Sequence, residues 1–303
     1  MKYYLGIDGG GTKTKIMIIN DLKEVLYEKV GGPSSVDTVT SDVTFNNIKN
    51  LIDSFRNDSP NLYFSGLFAG LGGIVFNEQK KDLIKLFKTL PGINNDTKIV
   101  VENDMYNALY SGLLFDEGIG LIVGTGMVSF GKKGNKTHKC AGWGFKEGEL
   151  GSGYALGKHA ISYMIRCFDN RLEKDDFAKE VADKLNLLKS EDIITIMDDI
   201  YLNRTLIASL APIVTKYANN NHPYALKIIE EHTDEIKLAV EGVYNTLNLK
   251  KPTIVIVGGL GNADGAFKTM LHLKLKEIDP YLKIIKPIVD PALAGALYIK
   301  NLK

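Results

Sequence analysis

The chain has 303 residues, 45% of them hydrophobic and 24% charged, an ordinary globular composition with enough length for a large core and about two domains. A formal net charge of +1 gives no basic footprint, so nucleic acid is not an expected partner. Two cysteines, Cys140 and Cys167, make neither a disulfide framework nor a CxxC metal site, and no apolar run reaches the ~18 residues of a membrane span, so a cytoplasmic protein with reduced thiols is expected.

The first predicted elements lie in YYLGIDGGGTKTKIMII, Tyr3 to Ile19, where two β-prone runs flank an acid, three glycines and Thr-Lys-Thr. A P-loop fails here, because Thr14 stands where its second glycine belongs. A dinucleotide fingerprint fails at the same residue, and Lys15-Ile16-Met17-Ile18-Ile19 is β-branched where a helix should begin. What remains is a strand–glycine turn–strand hairpin. Its glycines are expected to supply positive φ and to let phosphate oxygens approach the backbone NH groups.

A polar segment follows around Pro33–Val43, then a helix over about Val43–Phe55 and strands at Leu62–Phe68 and Lys98–Val101. Asp104 stands between that last strand and a helix whose apolar positions are Met105, Ala108, Leu109 and Leu113. An acid there can cap a helix as well as act in chemistry. A second hairpin, Ile119 to Phe130, repeats the pattern around Gly124-Thr125-Gly126. A helix is expected over Tyr154–Phe168, and helical periodicity dominates from about 172 to 250. A buried strand Thr253–Val257 ends in Gly258-Gly259, and Pro291 opens a terminal helix. Two similar hairpins predict a duplicated domain, each half offering a phosphate-binding turn to a shared cleft.

The ordered segments GIDGGGTKT, ENDMYNAL, GTGMVSFG, GWGFKEGELGSGYALG and IVIVGGLG resemble sugar kinases of the actin/hexokinase/Hsp70 superfamily. Within it the chain looks most like the BadF/BcrA-type ATPases and their N-acetylglucosamine kinase branch. The resemblance implies an α/β fold of two duplicated ribonuclease-H-like (actin-like ATPase) lobes around a central cleft. The lobes would be 1–115, with the helix 291–303 packing back on it, and 116–290. It implies ATP and Mg²⁺ as cofactors, a small sugar as substrate, no membrane or nucleic-acid partner, and a homodimer.

Carried onto this sequence, the resemblance makes Asp104 the general base that takes the sugar hydroxyl's proton. Asp8 would hold Mg²⁺ through water. Gly10, Gly11, Thr12 and Lys13 would meet the ATP phosphates from one lobe, and Thr125 and Gly126 from the other, with Gly258 and Gly259 against the adenosine. Gly142 and Trp143 would border the sugar, although a sole tryptophan could equally be core. The chain departs from the family at two sugar positions. Gly148-Glu149-Leu150-Gly151-Ser152 replaces the usual Gly-Asp-Glu-Gly-Ser, so Glu149 stands for the sugar-contacting Asp. Ser35 stands where relatives carry an Asn on the sugar. Both changes open the specificity toward N-acetylmuramic acid as well as N-acetylglucosamine.

Three other readings compete. A ROK-type hexose kinase should carry a CxCG zinc motif beside a catalytic His, and neither is present. An ATPase activating a 2-hydroxyacyl-CoA dehydratase would need its cysteines on a [4Fe–4S] cluster, whereas Cys167 falls inside a predicted helix. A non-catalytic filament subunit would leave Asp104 and Gly-Trp-Gly without a purpose. The five histidines show no metal spacing.

Overall fold

The apolar runs in Tyr3–Ile19 produce two strands that are buried along most of their length, with helices over both faces. The computed structural model describes residues 1–57, 60–114, 116–144, 150–187 and 190–302. In chain order the first elements are β1 (Tyr3–Gly9), β2 (Thr14–Asn20), β3 (Val25–Gly31), α1 (Ser41–Arg56), β4 (Gly66–Leu71), α2 (Asn77–Phe87), β5 (Lys98–Glu102) and α3 (Met105–Leu113). Then come β6 (Gly118–Val123), β7 (Met127–Lys133), β8 (Lys136–Ala141), α4 (Gly153–Phe168), α5 (Asp176–Lys184), α6 (Ser190–Leu202), α7 (Arg204–Ala208) and α8 (Ala211–Asn219). The chain ends with α9 (Pro223–Thr246), β9 (Thr253–Val257), α10 (Gly259–Asn262), α11 (Ala266–Ile278), β10 (Lys283–Ile285) and α12 (Pro291–Asn301).

These elements form two compact units: residues 1–120 with 285–303, and residues 121–284. The strand orders β3-β2-β1-β4-β5 and β8-β7-β6-β9-β10 are the same order used twice, which is the duplication the two hairpins predict. In the first sheet β1 pairs antiparallel with β2 and parallel with β4, and β4 pairs parallel with β5.

In the first unit, Leu5, Ile7, Leu67 and Ala69 point to one face, where they pack with Ile48, Leu51 and Ile52 of α1. The alternate residues Gly6, Gly66, Phe68 and Gly70 face α12 and α3. There α12 lies so close to β1 that a Cβ on Gly6 would stand 1.9 Å from the Ala292 carbonyl oxygen. Tyr298 of α12 packs edge-on against Phe68, with centroids 5.2 Å apart.

Strand β4 begins at Gly66 and runs to Leu71, later than the expected Leu62–Phe68. Its bounds follow the register with β1, from Tyr4↔Gly66 to Gly9↔Leu71. The preceding residues are tied off elsewhere, Phe64 N–H donating to the Gly92 carbonyl. The first hairpin also corrects an expectation about its glycines. Positive φ occurs at Gly73, Gly92, Gly118, Gly134 and several later glycines, but not at Gly9, Gly10 or Gly11. Space is the reason at Gly9, where a Cβ would stand 2.1 Å from Ser34 Oγ.

In the second unit, α9 supports the sheet and carries a wholly buried His232. Its Nδ1 accepts the Gly151 N–H at 2.9 Å, and its Nε2 lies 3.2 Å from His159 Nδ1. Burial, reinforced by His159, pushes the His232 imidazole down to about 3. The unfolded imidazole takes a proton near 6.5, so the neutral ring's contribution is complete above that pH and is lost as pH falls toward 3. Urea unfolding should show stability falling by up to about 1.4 kcal/mol per pH unit below roughly pH 6.5, and His232→Gln should flatten that slope. Equal slopes in both proteins would remove His232 as the cause.

Candidate functional site

In the first unit the tip of the β1–β2 hairpin is closed by the Gly10 N–H donating to the Lys13 carbonyl at 2.9 Å. Thr12 and Lys13 are exposed at that tip, and Gly10 and Gly11 are half-buried. The turn is anchored from behind: the Ser34 and Ser35 N–H groups donate to the Gly10 carbonyl at 3.1 and 3.2 Å. The buried Thr14 hydroxyl lies 2.6 Å from both the Gly32 carbonyl and Ser34 Oγ. With one proton on each hydroxyl, Thr14 donates to the carbonyl and Ser34 donates to Thr14.

Asp8 precedes this turn. Burial pushes its carboxyl up to about 6; a hydrogen bond from Asn107 and the nearby Lys13 and Lys15 charges offset this only in part, and Asp290 adds to it. The two lysines compensate the buried carboxylate only in part, a setting in which a cation can add to its stabilisation. Mg²⁺ keeps several waters and takes one or two carboxylates together with phosphates, so an acid such as Asp8 beside an open glycine turn suits it. Lys15 is committed elsewhere, bridging Asp290 at 2.9 Å and Glu28 at 3.3 Å.

Asp104 occupies the N-cap position of α3, with its backbone already helical, and its side chain makes no capping hydrogen bond. The neighbouring Asn103 Oδ1 accepts the Met105 N–H instead, at 3.0 Å. Asp104 is thus held at the end of β5 without its carboxylate being used to start the helix. Its Oδ2 lies against Gly72, 3.4 Å from where a Cβ would be, and Ser35 Oγ lies 2.5 Å from the same point. Gly72 therefore lets Ser35 and Asp104 approach the same small space. Ser35 is buried, and its hydroxyl donates to Asp37 Oδ1, an acid that the sequence reading did not single out.

In the second unit a cavity of about 320 Å³ is lined by Gly124, Thr125, Gly153, Gly259, Leu260 and Ala263, with Ala208, Ala211, Pro212 and Thr215 from the α7–α8 region. The Gly124–Gly126 turn is tight, Gly124 N–H donating to the Gly126 carbonyl at 2.9 Å. At its back, the Gly153 and Tyr154 N–H groups of α4 donate to the Gly124 and Thr125 carbonyls. Gly258 has φ +106°, and a Cβ on it would stand 2.4 Å from the Val123 carbonyl oxygen, so only glycine fits there. Nothing lies within 4 Å of a Cβ placed on Gly259, which leaves that backbone open to the cavity. The cavity thus unites two turns that the sequence placed far apart. The small residues of α8 were not legible as lining, because a helix rich in Ala, Ile and Val reads as core.

Trp143 is 59% exposed, with Lys139 Nζ 3.8 Å from its ring centre, so it is not a core residue. It is flanked by Gly142 at φ +71° and Gly144 at φ +128°. Glu149 lies outside the described residues. Cys167 is buried within α4 and Cys140 is half-buried on β8, and burial pushes both thiols up.

The model of the BadF/BadG/BcrA/BcrD ATPase family matches residues 5–299. An N-acetylmuramic acid/N-acetylglucosamine kinase of Clostridium acetobutylicum is 30% identical over 310 residues, spanning 99% of each chain. An N-acetyl-D-glucosamine kinase of Dictyostelium discoideum is 26% identical, spanning 99% of this chain and 98% of its own. A solved candidate N-acetylglucosamine kinase from Chromobacterium violaceum superposes with a TM-score of 0.79 at 20% identity, covering 99% of both chains. A ROK family glucokinase from Streptomyces griseus, solved with glucose and AMPPNP, reaches 0.55 at 15% identity over 98% of both chains. The fold is that of the duplicated actin-like ATPases and sugar kinases, and the chain belongs to the BadF/BadG/BcrA/BcrD ATPase family.

Proposed function

We propose that this protein is an ATP-dependent N-acetylhexosamine kinase that phosphorylates N-acetylglucosamine, N-acetylmuramic acid or both. End-to-end similarity to a kinase of both sugars carries the reading. Its chemistry rests on Asp104, whose carboxylate makes no capping hydrogen bond and lies near Ser35 across Gly72. As the sugar oxygen bonds to the γ-phosphorus and the bond to the β,γ-bridging oxygen breaks, Asp104 takes the hydroxyl proton and ADP leaves. Ser35 and Asp37 orient the sugar beside it, with Trp143, Gly142 and Glu149 as further sugar contacts. Gly11, Thr12 and Lys13 offer donors to phosphate from the first unit, where Gly10 closes the turn with its N–H on the Lys13 carbonyl, and Thr125 and Gly126 offer them from the second. Gly258 and Gly259 leave backbone against which the nucleoside lies. Mg²⁺ held through water by Asp8 would neutralise charge on the phosphates. A cytoplasmic homodimer belongs to this reading by resemblance, and sedimentation would check the dimer.

The reading is tested by coupled ADP release over a panel of amino sugars, hexoses and muramic acids. Turnover with an N-acetylated amino sugar well above the other sugars is expected; ADP release indifferent to every sugar would refute it. Thr12→Ala and Thr125→Ala should each raise the KM for ATP roughly tenfold or more, since a hydrogen bond to a charged group contributes about 1.5–3 kcal/mol. If neither change moved the KM for ATP or kcat, the two-turn account of phosphate binding would be wrong.

A further inference from the structure

Asn107 is wholly buried on α3, one turn beyond Asp104, on a helix whose other buried side chains are mainly apolar. Its Nδ2 donates to the Ile7 carbonyl and to Asp8 Oδ1, both at 2.9 Å. Both partners are acceptors, so the amide orientation is forced: turning it over would set oxygen against oxygen. The forced orientation leaves Asn107 Oδ1 with no hydrogen-bond partner among the described residues. A buried acceptor without a partner is unfavourable, and an apolar residue at this position would avoid it.

The surrounding backbone is built to admit this amide. Gly70 stands directly opposite Asp8 in the parallel β1–β4 ladder, and a Cβ there would come within 2.5 Å of Asn107 Nδ2. On the other side Gly295 of α12 makes room, with Oδ1 3.3 Å from where its Cβ would be. Two glycines on different elements thus shape a slot through which one side chain reaches the Asp8 carboxylate. The same helix presents Asp104 at its first turn, so Asn107 ties the strand end bearing Asp8 to the helix bearing Asp104.

We propose that Asn107 is a positioning residue that fixes the Asp8 carboxylate for a divalent cation bound with nucleotide, and registers it to Asp104. The inference rests on the kinase reading above. Partners that orient a metal-binding carboxylate commonly contribute 10–100-fold to metal affinity or activity.

The test measures Mn²⁺ binding to the full-length protein with ADP, by the electron paramagnetic resonance of free Mn²⁺. It compares the wild type with Asn107→Leu, which keeps the shape without the donor, and with Asn107→Ala, which cannot overpack the slot. The variants should bind Mn²⁺ about 10–100-fold more weakly, with a matching rise in the Mg²⁺ concentration needed for turnover. Their KM for sugar should stay within about twofold, a split that general loss of structure would not give. If the wild type binds Mn²⁺ with ADP and either folded variant binds it equally well, the assignment of Asn107 fails. If the wild type itself binds no Mn²⁺ with ADP, the metal role of Asp8 fails first. If circular dichroism shows both variants unfolded, Asn107 is a determinant of the fold, and the positioning role is overturned.

Discussion

Asp104→Asn should lower kcat by about 10²–10⁴, the range typical for loss of a general acid or base. The amide keeps the shape of the side chain but cannot take up the sugar hydroxyl's proton as the new bond forms. The KM for ATP should be nearly unchanged, because the glycine turns offered to phosphate lie on other segments. The KM for sugar should change less than kcat, since the amide can still contact the hydroxyl. Stability should hardly move: Asn103 Oδ1, not Asp104, accepts the first free N–H of α3. A role in starting the helix predicts the reverse, a less stable protein with turnover intact. A variant that retained half its turnover would end the assignment and direct attention to Glu149, the other acid carried over to the sugar.

The largest effect on stability is expected from Gly6→Ala. A Cβ there would stand 1.9 Å from the Ala292 carbonyl oxygen and 2.5 Å from the Ala296 nitrogen. Both obstacles are backbone atoms within α12 and cannot rotate away, so the helix must lift from β1. Overpacking of ordinary side chains costs about 1–3 kcal/mol, and a backbone clash belongs at or beyond the top of that range. The sole tryptophan, Trp143, lies in the other unit and would not report the change. Hydrogen exchange of peptides from Pro291–Asn301 would, and about 3 kcal/mol corresponds to exchange more than a hundredfold faster. Exchange within about twofold of the wild type would show that α12 does not rest on β1 as described.

What the sequence revealed about the fold was local in origin. The hairpin at Tyr3–Ile19, the strand Thr253–Val257 and the helix opened by Pro291 each follow from a few consecutive residues, and each was found. The bounds of β4 were misplaced because they depend on register with β1, which leaves no mark within residues 62–71. Asn107 reads as one polar residue in an apolar helix, and nothing nearby shows that it reaches back 99 positions to Asp8. The Lys15–Asp290 pair spans 275 positions and is equally silent. Glycines were easy to notice, but their reason was not. At the first turn the sequence suggested unusual φ, whereas Gly9, like Gly6 and Gly70, is required by what presses against it.

The return of residues 285–303 to the first unit has a consequence for biosynthesis. During translation β1 to β5 emerge first, but the face carrying Gly6, Gly66 and Phe68 has no α12 to cover it. Residues 121–284 must be made in between, on the order of ten to thirty seconds at ordinary elongation rates. The second-made unit is therefore complete before the first. Through that interval the nascent chain exposes Phe68 and its glycine-lined surroundings, a surface suited to a chaperone or to mispairing with another nascent chain. Ribosomes that stall after residue 284 would release a protein with one finished unit and one that cannot close.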